Sequence, residues 1–189
     1  MGITGRPSHL GRRYPIAFYI DISLDWPNKE RIVKRWSLVM NNLEIMNSIC
    51  VTSSFVREPD PTPLLAEVVR VLHRERLHYN WVGVYLLKEK ELVLGPYAGK
   101  ATTHVRIPLD QGICGAAASS GQTLVVDDVS ADPRYLACSL ETRSEIVVPI
   151  KRQGRVLGEI DIDSDQPAAF TPTDRELLEA VASLLADKI

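Results

Sequence analysis

Glu145-Ile146-Val147-Val148-Pro149-Ile150-Lys151-Arg152-Gln153-Gly154-Arg155-Val156-Leu157-Gly158-Glu159-Ile160-Asp161-Ile162 contains two β-branched, largely apolar runs around a short polar turn. Glu145–Ile150 and Val156–Ile162 are expected as strands, with Arg152-Gln153-Gly154 closing an antiparallel hairpin. Asp161 and Asp163 alternate with Ile160 and Ile162, which puts both acids on one face of the strand and the isoleucines on the other. Glu145 opens a strand that is otherwise apolar. Two acids on one sheet face repel unless a proton or a cation lies between them. A bound ammonium group would answer this. A divalent cation is a further option, for which a carboxylate pair alone is weak support, and a plain solvated face stays open.

Upstream, Val82–Leu87 and Glu91–Leu94 read as strands around a Lys88–Lys90 turn. Ala101–Ile107 and Thr123–Val126 are further strand candidates. A helix is expected after Pro61, with Thr62 as its cap, Pro63 in its first turn and Leu64, Leu65, Val68, Val69 and Leu72 as its apolar face. A last helix begins at the cap-like Thr171-Pro172-Thr173-Asp174 and shows Leu177, Leu178, Val181, Leu184 and Leu185. The order helix, hairpin, strands, hairpin, helix argues an α+β domain with a central antiparallel sheet flanked by helices.

The chain has 189 residues, 45% of them hydrophobic, which suffices for one full-sized core and a small appendage. Residues 56–189 are expected to form that domain. Residues 1–55 read as an N-terminal extension, disordered over Met1–Arg13, with one candidate helix over Asn28–Asn47 that carries Ile32, Val33, Trp36, Val39, Met40, Leu43 and Met46 on one face. Arg57–Pro61 reads as a linker by its prolines. A net charge of −2 offers no field to hold nucleic acid or an anionic membrane. The apolar run Tyr14–Ile20 is too short to span a bilayer and lacks a cleavage site, so the expected location is cytoplasmic.

Three cysteines, Cys50, Cys114 and Cys138, make an odd number, so a disulfide framework is not expected. Gly112-Ile113-Cys114-Gly115 precedes a run of small helix formers. A thiol at a helix N-terminus has its thiolate stabilised by the unpaired N–H groups there. Arg134 and Arg143 flank Cys138 and would lower its pKa by turning toward it. Both Cys114 and Cys138 are expected in loops, outside the core. Trp81 and Tyr85 share one face of their strand, as core residues or as pocket walls. The four histidines show no metal spacing, and a zinc site of His104, Cys114 and Cys138 lacks a fourth ligand, so no metal is expected. There is no phosphate-cradling glycine loop and no GxSxG.

Several segments in register resemble the GAF domain, and more narrowly its free methionine-(R)-sulfoxide reductase branch. They are Asn80-Trp81-Val82-Gly83-Val84-Tyr85-Leu86, Leu94-Gly95-Pro96-Tyr97-Ala98-Gly99-Lys100, Arg106-Ile107-Pro108, Gly112-Ile113-Cys114-Gly115, Ala137-Cys138, Ser144–Pro149 and Asp161-Ile162-Asp163-Ser164. The resemblance spans Leu64 to Leu185. It implies a GAF-like central antiparallel sheet flanked by helices, in a family that is often dimeric, so a homodimer is implied as well. It also implies a pocket for free methionine-(R)-sulfoxide or a similar small ligand. The residues that match the family's pattern assign Glu145, Asp161 and Asp163 to the substrate's ammonium group, Trp81 and Tyr85 to the pocket walls, and Cys138 to the attacking thiol.

The implied chemistry is attack by the Cys138 thiolate on the sulfoxide sulfur, leaving a sulfenic acid that a second thiol converts to a disulfide. No cofactor is implied; a thioredoxin-type dithiol resets the enzyme. The sequence departs from the family at one position. A cysteine that usually stands four residues before the proline of Arg106-Ile107-Pro108 is here His104. Cys114 is left as the candidate resolving thiol. Two readings stay open beside the enzyme: a non-enzymatic GAF module that binds or senses a small ligand without efficient thiol recycling, and a thiol redox sensor without substrate.

Overall fold

The computed structural model describes residues 40–50, 60–136 and 139–189. Met1–Arg13, most of the expected helix over Asn28–Asn47, part of the Arg57–Pro61 linker, and Cys138 lie outside the described residues. The elements are α1 over 40–50, α2 (Thr62–Glu75), β1 (Trp81–Lys88), β2 (Glu91–Ala98), β3 (Arg106–Pro108), α3 (Gly112–Ser120), β4 (Leu124–Val126), a single 3₁₀ turn at Val129–Ala131, β5 (Ser144–Arg152), β6 (Arg155–Ser164) and α4 (Pro172–Ala186).

The expected α+β architecture is present. Six antiparallel strands form one sheet in the order β3-β2-β1-β6-β5-β4. The β5–β6 hairpin closes through Gln153 and Gly154, both at positive φ (52° and 78°), between paired Arg152 and Arg155. Two consecutive positive-φ residues are the requirement of a tight hairpin turn.

Period-two alternation divides the sheet. Val82, Val84, Ile146, Val148, Ile160 and Ile162 face one side and form a core with α2, α4 and α1. Trp81, Tyr85, Leu92 and Val147 face the other, in a second core with Ile113, Cys114 and Ala117 of α3 and with Val129. Both faces are therefore covered, and the acids of β6 do not lie on a solvated surface.

Several expectations need correction. Cys114 is the third residue of α3 and only 5% exposed, so it belongs to a helix and to the core. The strand expected over Ala101–Ile107 shortens to Arg106–Pro108. Ahead of it the chain turns, with the His104 N–H bonded to Thr102 Oγ1 and the His104 carbonyl accepting from the Tyr85 hydroxyl. Local side-chain bonds of this kind compete with a sheet ladder. Thr62 is the first helical residue of α2, and the acceptor for its N–H is Asp60 Oδ1 at 2.9 Å. α1 runs past Asn47 to residue 50 and buries Ile45 and Ile49, whereas Met40 and Leu43 are half exposed (52% and 51%). By contrast, α4 opens with a reciprocal capping box between Thr171 and Asp174, as its sequence suggests.

Candidate functional site

Register aligns the site in rows across three strands. Trp81, Asp163 and Glu145 are cross-strand neighbours, followed by Gly83, Asp161 and Val147, then Tyr85, Glu159 and Pro149. The structure thus brings Glu145, Asp161, Asp163, Trp81 and Tyr85 to one face of the sheet, and α3 lowers Cys114 onto them. The Cys114 Sγ lies 3.9 Å from Glu145 Oε1. Two tight approaches make this packing feasible. A Cβ on Gly115 would stand 2.8 Å from the Pro108 carbonyl oxygen, so α3 can seat itself against the end of β3 only with glycine there. A Cβ on Gly83 would stand 2.2 Å from the Trp81 ring, which lies back over the strand.

The indole of Trp81 is held by a bond from its Nε1 to the Lys100 carbonyl (3.1 Å) and by stacking on Tyr97, with centroids 5.8 Å apart. Tyr85 is buried behind it, at 6.4 Å. A cleft of about 140 Å³ opens beside Trp81 and Asp163, lined also by Asn80, Thr102, Ser139 and Thr142. Glu145, Asp161, Cys114 and Tyr85 do not line this cleft; Glu145 shares the row of Trp81 and Asp163, Asp161 and Tyr85 lie in the next two rows, and Cys114 sits above them on α3. Lys100 and Glu141 pair at its rim, 2.9 Å apart.

A fourth acid belongs to the cluster, and the sequence reading passed over it. Glu159 continues the alternation of Asp161 and Asp163 and is fully buried; neither of its carboxylate oxygens has a hydrogen-bond partner. The signal was present two residues before Asp161. Burial raises every one of these carboxyls, and mutual repulsion raises most of them further. Glu145 is held well above the usual range by burial and then by Asp161 and Asp163; Glu159 by burial and Asp161; Asp163 by burial and Asp161. Asp161 is pushed up to about 7 by its burial. The cluster can therefore hold protons at neutral pH and release them to a cation.

The Cys114 thiol is also pushed well up, first by burial and then by Asp161, Glu159 and Glu145. The expected lowering by the helix N-terminus is overturned: burial first, and then the acids of β5 and β6, outweigh the few N–H dipoles beneath the thiol. Arg134 makes a forked pair with Asp132 at 2.9 and 2.6 Å. Among the described residues, the metal-ligating side chains that converge are Cys114, Glu145 and Asp161, and His104 is not among them. No helix among the described residues is long and apolar enough to cross a membrane.

A curled antiparallel sheet with its pocket on the face opposite the main helices is a GAF architecture, and residues 60–189 match the GAF domain family. The chain is 36% identical over 121 residues to a free methionine-R-sulfoxide reductase of Escherichia coli, covering 64% of this chain and 73% of the relative. It superposes on the free methionine-R-sulfoxide reductase of Neisseria meningitidis, solved in complex with its substrate, with a TM-score of 0.70, 38% identity, and coverage of 78% of this chain and 89% of that one. The type II enzyme of Thermoplasma acidophilum is matched with a TM-score of 0.66 at 40% identity, over 67% and 89% of the two chains. These matches define a GAF domain protein. The chain belongs to the free methionine-R-sulfoxide reductase family of enzymes.

Proposed function

We propose that this protein reduces free methionine-(R)-sulfoxide to methionine, with Cys138 as the attacking thiol and Cys114 as the thiol that resolves it. The observation that carries the reading is the convergence of Glu145, Asp161 and Asp163 beside Trp81, with the Cys114 thiol against Glu145. The carboxylates face a substrate ammonium, which a peptide-linked methionine does not possess. That selects the free amino acid. Trp81 and Tyr85 supply the apolar wall for its side chain, as the aromatic partners of the acid rows.

The chemistry balances as follows. The Cys138 thiolate attacks the sulfoxide sulfur, the oxygen takes one proton from the buried acids, and its net transfer, with the methionine S–O bond broken, leaves methionine and a sulfenic acid on Cys138. The Cys114 thiol then attacks the Cys138 sulfur. An S–S bond forms, the S–O bond breaks, and the hydroxyl leaves as water with a proton from the buried acids. A thioredoxin-type dithiol reduces the disulfide and is itself oxidised, in the cytoplasm, where such dithiols are maintained. Cys114 is not a free-standing nucleophile here. Its raised pKa keeps it a thiol until an acid beside it gives up its own proton and can accept another.

The test is turnover of free methionine-(R)-sulfoxide with dithiothreitol or thioredoxin, comparing wild type with Cys138→Ser and Cys114→Ser. The expected result is no product from Cys138→Ser and a single turnover from Cys114→Ser with thioredoxin. No wild-type turnover with either reductant defeats the proposal. His104 in place of a further cysteine favours a second reading, a ligand-binding GAF module with weak recycling. That reading expects tight methionine binding and a single turnover in wild type too.

A further inference from the structure

The reductase chemistry gives no task to Glu159, and it leaves three possible metal ligands, on Cys114, Glu145 and Asp161, gathered at one point. Cys114 Sγ, a Glu145 oxygen and an Asp161 oxygen lie within 4.8 Å of one another, with Cys114 and Glu145 at 3.9 Å. Zinc bound to thiolate at about 2.3 Å and to carboxylate at about 2.0–2.2 Å holds tetrahedral ligands roughly 3.5 Å apart. The trio needs to close by roughly an ångström to reach that geometry.

A second observation points to a ligand. Asp161 Oδ1 and both oxygens of Glu159 have no hydrogen-bond partner, although Asp161 is 2% exposed and Glu159 0%. Buried carboxylate oxygens without a partner are costly and call for a proton or a cation. The donor set chooses among cations. One thiolate among carboxylates suits a borderline transition ion, whereas calcium and magnesium want oxygen alone.

We propose that Cys114, Glu145 and Asp161 form a binding site for a divalent transition cation of the zinc class. On binding, the Cys114 S–H bond breaks, its proton and those held by Glu145 and Asp161 pass to solvent, and the thiolate and carboxylates bond to the ion with no change of oxidation state. The ion is an inhibitor rather than a cofactor, because it occupies Cys114 and the acids at once. The site is argued from its ligand atoms alone; only the inhibitory effect rests on the reductase reading, in which Cys114 resolves Cys138.

The test is a cobalt(II) titration of the full-length Cys50→Ser/Cys138→Ser protein, in which Cys114 is the remaining thiol. The expected result is a near-ultraviolet thiolate-to-cobalt charge-transfer band that saturates at a single ion and is abolished by zinc. Adding Cys114→Ser removes the band. Adding Asp161→Asn or Glu145→Gln weakens cobalt binding by about tenfold or more, with circular dichroism confirming that each variant is folded. Absence of the band in the single-thiol protein overturns the proposal. So does an affinity that neither carboxylate substitution lowers.

Discussion

Gly83 lies directly beneath the indole of Trp81, with room for a hydrogen and nothing larger. It is also the cross-strand neighbour of Asp161, so the ring that covers Gly83 lies over the strand beside the row of that acid. Gly83→Ala is expected to push the indole off its stack on Tyr97. The cost is roughly 1–3 kcal/mol of stability, the usual range for overpacking. Near-ultraviolet circular dichroism should report the displaced ring, and methionine affinity should fall about tenfold. Unchanged affinity would remove Trp81 from the binding site.

Binding of the free amino acid should strengthen as the solution becomes more alkaline. Burial holds Asp161 at about 7, so below that pH it is protonated and cannot pair with an ammonium. Raising the pH from about 6 to about 8 takes it from mostly neutral to mostly ionised, while the ligand keeps its positive charge. Calorimetric affinity for free methionine is expected to rise roughly tenfold over that interval. Asp161→Asn should flatten the profile.

Two classes of carboxyl set opposite pH limits on stability. Glu145, Glu159 and Asp163 have folded values above their unfolded ones, so their contribution is complete at acidic pH and is lost as the pH rises through the folded values. The ligand-free protein should therefore melt at lower temperature at about pH 8 than at about pH 5. Asp174 behaves in the reverse sense. Burial pushes it up, but hydrogen bonds from His78, Thr171 and Tyr79 outweigh burial and hold it well below the usual range. Its contribution is present above the unfolded value near pH 4 and lost as the pH falls below that. Asp174→Asn breaks the α4 capping box and the contacts to Tyr79 and Arg76, and is expected to cost roughly 2–4 kcal/mol at neutral pH.

Replacing Glu159 by leucine should stabilise the fold. Its two oxygens lack a hydrogen-bond partner and are buried on the α3 side of the sheet, across from Tyr85 and near the Cys114 thiol, where an apolar side chain of similar volume is expected to cost little. A gain of about 1–3 kcal/mol in urea unfolding is the expected outcome. A loss would mean that the carboxyl has a partner the fold requires.

Period two made most of this site legible. Trp81 and Tyr85, and Asp161 with Asp163, were placed on common faces by spacing alone, and the sheet keeps them there. The same rule reaches Glu159, one step further back through Ile160, although Glu159 stands outside the short Asp161–Asp163 motif. What the local reading could not supply was long-range. Cys114 looked like an activated thiol because only its own helix was in view, and the acids that raise it come from β5 and β6. β-branched residues at Thr102, Thr103 and Val105 suggested a strand, but the Tyr85 hydroxyl, from another strand, claims the His104 carbonyl. On α1, the face that meets the core proved to be that of Ile45 and Ile49, which no reading of the helix in isolation distinguishes from the Met40 and Leu43 side.

β6 carries acidic and core side chains on alternate residues, and this interleaving makes the strand intolerant of slippage. A shift by one residue against β1 or β5 would drive Glu159, Asp161 and Asp163 together into the isoleucine-and-leucine layer beneath α2 and α4, and turn Ile160 and Ile162 toward the cleft. Misregistered chains are thus penalised by the very charges that serve the ligand. The acids act as an alignment key during folding, so variants that neutralise several of them at once should refold with more off-register and aggregated product even where each single change makes the native state more stable.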